Sequence, residues 1–307
     1  MTFITLKEIL DEAKSGKYGV GAFNIHNLET AMAISEAAKC EKSPVIFAVS
    51  PAAIRYSGID YIHQIARIAA KESKMPTVLH LDHGTSFKDC VQCIRHGWSS
   101  VMFDGSKLPL TENIQRTKEI VKVAHAVGVS VEAELGKVAG IEEHISVSKQ
   151  SGEFTDPDEA LKFVSETEVD ALAIAIGTSH GAYKFNGSAN LDFKRLIKIE
   201  RLIDVPIVLH GASGVPKEVV NRAVRYGAKL PGAAGIPDED IKNAINLGVA
   251  KINISTDIKM FITAALRQEL FEHPEEFDPI NIFAPVTLAI KEVTIQKMKL
   301  FGSSGKA

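Results

Sequence analysis

The chain has 307 residues, 45% hydrophobic and 24% charged, the balance of a globular protein with a sizeable buried core. A net charge of -3 lacks the basic excess of a nucleic-acid binder, no apolar run reaches the roughly 18 residues of a membrane span, and residues 1–10 lack a signal-peptide pattern. Cys40, Cys90 and Cys93 are too few for a disulfide framework and fit a cytoplasmic protein; Cys90 and Cys93 share one side of an amphipathic helix and read as packing rather than redox chemistry.

Apolar runs of strand length alternate with helical periodicity along the whole chain. The predicted strands are 18–23, 44–49, 76–82, 99–104, 130–135, 171–176, 206–210 and 250–254. Between them, spacings of three and four residues predict helices over 28–40, 61–70, 87–96, 114–126, 158–164, 191–202, 217–226 and 238–247, followed by 258–271 and 285–300. Eight strand-helix units predict a (β/α)8 TIM barrel with additional C-terminal helices, in one domain over 1–307. No glycine-rich dinucleotide fingerprint follows the first strand, which disfavours an open doubly wound sheet. The connection 136–155 is long enough to be a functional loop.

Three strands end in His-Gly: Leu79-His-Leu-Asp-His-Gly84, Gly177-Thr-Ser-His-Gly181 and Leu209-His-Gly211. In a barrel, the ends of strands three, six and seven converge on one rim, so His83, His180 and His210 suit a zinc ion with an open position. Asp82, beside one imidazole, suits general acid or base work; as a helix cap it loses to Thr85 and Ser86, which sit closer to the next helix. His80 shares the face of Asp82 but lies deeper, in a core or supporting role. His26, His63, His96, His125, His144 and His273 read as solvated. Asp104 and Glu134, at the ends of strands four and five, either bind a second divalent ion or orient the imidazoles.

The segments Gly211-Ala-Ser-Gly214 and Asn253-Ile-Ser-Thr256 each pass from a late strand toward a helix N-terminus, where barrels hold phosphate; Gly181 and Lys184 add a close-approaching backbone and a cation. A Lewis acid, a proton-transfer group and a phosphate cradle suit carbon-carbon cleavage beside a carbonyl. Phosphoester hydrolysis uses some of the same parts, and a non-catalytic sugar-phosphate binder is a third reading.

The segments Tyr18-Gly-Val-Gly-Ala-Phe-Asn24, Leu79-His-Leu-Asp-His-Gly84, Val131-Glu-Ala-Glu-Leu-Gly136, Gly177-Thr-Ser-His-Gly-Ala182, Leu209-His-Gly-Ala-Ser-Gly214 and Lys251-Ile-Asn-Ile-Ser-Thr256 together resemble the class II, zinc-dependent ketose-bisphosphate aldolases over almost the whole chain. The resemblance implies reversible cleavage of fructose 1,6-bisphosphate, or its tagatose epimer or a related phosphorylated ketose, to dihydroxyacetone phosphate and glyceraldehyde 3-phosphate. It implies Asp82 as the proton carrier for the C4 hydroxyl, zinc on His83, His180 and His210, and a second metal position at Asp104 and Glu134. It assigns the substrate to Gly181, Lys184, Gly211, Ala212, Ser213, Asn253, Ile254, Ser255 and Thr256, with Asn24 and Ser50 at the first two strand ends. A loop acid, Glu142 or Glu143, assists at C1. A monovalent cation (Na+ or K+) near the phosphate and a homodimer or homotetramer are further family traits. Many fructose-type members carry Asp at the position of Ser255 and Arg at that of Lys259, and tagatose-type members lack that Asp; fructose bisphosphate remains the favoured substrate.

Overall fold

The computed structural model describes residues 3–142, 145–147, 153–180, 191–230 and 235–307. Its centre is a closed barrel of eight parallel strands: Val20–Asn24 (β1), Val45–Val49 (β2), Thr77–Gly84 (β3), Ser100–Phe103 (β4), Ser130–Leu135 (β5), Ala171–Ile174 (β8), Ile207–Leu209 (β10) and Val249–Ile254 (β11). They pair in the order β1-β11-β10-β8-β5-β4-β3-β2, so the first and last strands meet and close the sheet. All eight predicted strands are present. Three short strands, Ala139–Glu142 (β6), Ile145–Val147 (β7) and Ser179–His180 (β9), form a separate sheet in the order β7-β6-β9.

Period-two alternation sorts the strand residues into two cores. Leu79 and Leu81 face outward with Phe47, Val131, Leu172 and Ile252 under the surrounding helices. Val78 faces inward with Val20, Ala22, Ile46, Ala48, Ala171, Ala173 and Val208, against Leu6, Ile9, Leu10 and Ala13. Those last four belong to helix Leu6–Gly16, which touches β1, β3, β5, β8 and β11 and therefore lies across the barrel's N-terminal mouth. Each fully buried Leu or Ile of this floor contributes about 1.5–3 kcal/mol. The helix starts where Thr5 and Glu8 form a reciprocal capping box.

Several helices depart from expectation for local reasons. After β2 the chain makes two helices, Pro51–Ser57 and Ile59–Ser73, broken at Gly58 with φ +80°. The long C-terminal helix runs from Pro279 to Phe301, so Pro285, expected at its start, lies inside it at the cost of one backbone hydrogen bond. Asp278 supplies the cap, accepting from the Ile280 N–H. The connection 136–155 carries β6 and β7 as an antiparallel hairpin, with Lys137 bridged to Glu153 at its base. Cys90 and Cys93 are buried; burial pushes the Cys90 thiol up to about 12 and that of Cys93 higher still, which leaves no reactive thiolate.

Candidate active site

Strict alternation along β3 would send Asp82 inward and His83 outward. The strand breaks register with β4 between Leu81 and Gly84, and His83 takes a left-handed backbone with φ +53°. Holding a non-glycine residue there costs on the order of 1–3 kcal/mol. The result is that adjacent residues both serve the rim. Ser86 caps helix Phe87–Arg95, which leaves Asp82 free of capping duty.

Each oxygen of Asp82 accepts one carboxamide N–H, from Asn24 at 3.0 Å and from Asn253 at 2.9 Å. Two side chains from the seam strands β1 and β11 thus fix the plane of this carboxylate, which is buried. Next to it, the rings of His83 and His210 stand 4.5 Å apart and nearly perpendicular, with His83 Nε2 and His210 Nδ1 separated by 2.9 Å. The far nitrogen of each ring meets a carboxylate. His83 Nδ1 lies 3.0 Å from Asp104, and His210 Nε2 lies 2.9 Å from Glu132. Asp104 is in turn held by the backbone N–H and hydroxyl of Ser106.

This arrangement tests whether the residues suit a metal. A neutral imidazole carries one N–H; the carboxylates claim it on the outer side of each ring, which turns two lone pairs toward one another. Such a pair must share a proton, carried by His83, or a metal ion that replaces it, so the donor set suits a divalent ion once His83 is deprotonated. Ligand atoms of Asp82, His83 and His210 lie within 4.8 Å of one another, as do those of His83, Asp104 and Glu134. The titration behaviour has the same origin. Burial alone would lower the pKa of His83, but Asp82, Asp104 and Glu134 outweigh it and raise it well above the usual imidazole range. Burial, reinforced by repulsion from Asp104, raises Glu134. Asp104, although buried, is held well below the usual carboxylate range by His83 and Ser106.

His180 is not on a barrel strand. The ladder of β8 stops at Ile174, because Ala175 exchanges its backbone bonds with Thr155, and Gly177 turns the chain with φ +108°. His180 then falls on β9, where it pairs with Gly140 of β6. Its ring lies outside what the structure describes. Its neighbour Ser179 packs on Gly211, where a Cβ would come within 2.7–3.0 Å of the Ser179 backbone and where φ is +61°. Glu142 ends β6, but its side chain, together with Glu143, Gly181 and Lys184, lies outside the described residues.

The predicted phosphate segments border the rim. Ala212, Ser213, Asn253, Ile254 and Ser255 are buried, and Ser255 stands at the N-cap of helix Thr256–Glu272 without capping it. Among the described residues its hydroxyl has no hydrogen-bond partner, nor do the hydroxyl of Thr178 and the carboxamide oxygens of Asn24 and Asn253. Unsatisfied buried polar atoms at a helix start are what a bound phosphorylated ligand would satisfy. Ser50 caps helix Pro51–Ser57 by accepting from the Ala53 N–H, next to β1. Of the imidazoles expected in solvent, His125 and His273 are exposed, His26, His63 and His96 are half-buried, and His144 lies outside the described residues.

Sequence reasoning missed Glu132 and Lys251. Beneath the rim, the Lys251 ammonium lies 3.0 and 2.8 Å from the two oxygens of Glu132, both side chains fully buried. It also lies 3.4 Å from His80 Nε2, while His80 Nδ1 meets the Ser100 hydroxyl at 2.8 Å. Burial and the nearby Lys251 lower the His80 pKa well below the usual imidazole range. The available signal was a charged residue at inward-facing parity within an apolar strand: Lys251 in Val249-Ala-Lys-Ile-Asn-Ile254, and Glu132 two residues before Glu134.

The family described as fructose-bisphosphate aldolase class-II matches residues 4–229 and 230–306. A fructose-bisphosphate aldolase of Thermus caldophilus is 47% identical over 304 residues, 99% of each chain. A 6-phospho-5-dehydro-2-deoxy-D-gluconate aldolase of Bacillus licheniformis is 42% identical, covering 100% of this chain and 97% of its own. Among solved structures, the YdjI aldolase of Escherichia coli K12 superposes with a TM-score of 0.80 at 32% identity, over 99% of both chains.

Proposed function

The chain belongs to the class II fructose-bisphosphate aldolase family, metal-dependent lyases of phosphorylated sugars, and from that premise we propose how its own residues divide the work. His83, His180 and His210 hold zinc. Bound there, the ion supplies a Lewis acid that draws electron density from the substrate ketone. Asp82 takes the proton of the C4 hydroxyl. As that oxygen becomes an aldehyde the C3–C4 bond breaks, its electron pair is left on the dihydroxyacetone phosphate fragment, and glyceraldehyde 3-phosphate departs. In the synthetic direction Asp82 returns the proton. Asn24 and Asn253 keep the carboxylate facing the rim throughout. Glu142 or Glu143 serves proton transfer at C1.

The phosphate of the dihydroxyacetone half sits on Gly211, Ala212 and Ser213 and on Asn253 to Thr256, with Gly181 and Lys184 beside them and a Na+ or K+ ion nearby. The observation that carries the reading is the pair of imidazoles with one nitrogen of each turned toward the other, beside a carboxylate cradled by two carboxamides. Asp104 and Glu134 match a second divalent position in the family; the hydrogen bond from His83 to Asp104 favours the orienting role. A single domain forming homodimers or homotetramers in the cytoplasm completes the proposal.

Fructose 1,6-bisphosphate is the favoured substrate. A second reading, tagatose 1,6-bisphosphate or a related phosphorylated ketose, is favoured by Ser255, which offers a hydroxyl and no charge to the distal hydroxyls, and by the different substrate in the name of the Bacillus licheniformis relative. The test is kcat/KM for the two bisphosphates on zinc-loaded protein, coupled to triose-phosphate detection. Release of inorganic phosphate without triose phosphate would sink the aldol reading, as would a borohydride-trapped lysine adduct.

A further inference from the structure

We propose that Lys251 is a positioning residue for the metal centre: by clamping Glu132 from below, it holds the His210 ring with Nδ1 facing the rim. The inference rests on the metal reading above and concerns residues to which no part of that reading gives a task. His210 and Glu132 end in sp³–sp² torsions that are broad and nearly two-fold, so neither side chain defines its own direction. A half-turn of the imidazole would put Cδ2 where Nδ1 stands and Cε1 where Nε2 stands, taking the donor nitrogen off the rim. Glu132 Oε1 prevents this by accepting from His210 Nε2 at 2.9 Å. The same oxygen accepts from Lys251 Nζ at 3.0 Å, and its twin lies 2.8 Å from that ammonium. The clamp holds both carboxylate oxygens, and the ammonium is itself steadied by His80, which is anchored to Ser100.

The pair lies among small inward-facing side chains, with Ala171 in register beside Glu132 and Ala48 beside His80. A fully buried ion pair is on average no more stabilising than an apolar isostere of the same volume, so its presence under a metal ligand points to direction rather than stability.

Three variants separate the two roles: Lys251→Met, Glu132→Gln, and both together. For each, zinc affinity is measured by chelator competition without substrate, ligand geometry by the visible spectrum of the cobalt(II) form, and the unfolding midpoint on metal-free protein. Lys251→Met is expected to weaken zinc about 10–100-fold and to alter the cobalt bands. In Glu132→Gln the lysine draws the amide oxygen to itself and turns the NH2 toward His210, so zinc weakens again. The double variant frees that oxygen to accept from His210 Nε2 and is expected to bind zinc at least about tenfold more tightly than Glu132→Gln alone. Unchanged zinc affinity and cobalt spectrum in Lys251→Met would overturn the proposal. If that variant does not fold, a double variant no tighter than Glu132→Gln overturns it equally. Wild-type protein that binds no zinc would instead overturn the metal reading on which it rests.

Discussion

On the barrel rim, Asp82 and His83 stand on β3 and His210 directly follows β10, strands hydrogen-bonded on both sides, and their side chains are met by Asn24, Asn253, Asp104 and Glu132. His180 and Glu142 are held otherwise. They lie on strands of two and four residues in a sheet outside the barrel, where β6 touches β9 over only two residue pairs. The rim side chains are packed from several strands of one closed barrel. The small sheet instead joins His180 and the candidate loop acid Glu142 through one backbone ladder outside it.

The largest effect that sharpens this contrast is metal removal. A chelator is expected to abolish turnover and zinc to restore it, with the circular-dichroism signal of the barrel, whose buried cores are apolar, unchanged. Affinity carries a pH signature: His83, raised above the usual imidazole range, must lose a proton to bind metal. Zinc affinity therefore falls as pH is lowered, by about tenfold per unit while His83 is protonated in the metal-free protein. A pH-independent affinity measured by competition would contradict the rim geometry.

Next comes Asp82→Asn, which keeps both carboxamide neighbours but removes the base. Turnover should drop by about 10²–10⁴-fold with zinc still stoichiometric. Loss of zinc from this variant would instead make Asp82 a ligand. Gly211→Ala probes the seam between the two regions, since the new Cβ would collide with the backbone of Ser179. Displacing the His180 segment by about 1 Å is expected to lower kcat on the order of 10²-fold, and an unchanged kcat would show that the segment is not set by this contact. Smallest is Thr5→Ala in the floor. Losing the cap should cost about 0.5–2 kcal/mol, read as a lower unfolding midpoint, and leave zinc affinity alone. A change in affinity would mean that floor and rim are coupled.

The barrel was legible because its signal is periodic and repeated: eight inward-outward alternations, each closed by glycine or a polar strand end. His83 and His210, which the structure brings together, were legible because each stands before a glycine where an apolar strand gives out. What escaped was non-periodic. The left-handed turn at His83 is invisible to a period-two reading, which by itself would have buried this ring under a helix. The departure of His180 from the barrel depends on Thr155, twenty residues upstream, capturing the backbone of Ala175. The floor helix Leu6–Gly16 precedes the first strand and so falls outside the strand-helix alternation, although its capping box was present in the sequence as Thr5 and Glu8. Glu132 and Lys251 are opposite charges on strands that meet only across the interior, a pairing no local pattern contains.

The two amides that grip Asp82 come from the first and last staves of the barrel, Asn24 on β1 and Asn253 on β11. A nascent chain short of residue 253 therefore has Asp82 but lacks one of the two amides that fix the proposed proton carrier, however well its earlier units have formed. Chemistry and closure become the same event, and catalytic onset during refolding would time the zipping of the final seam more sharply than any helical signal, most of which can develop while the ring is still open.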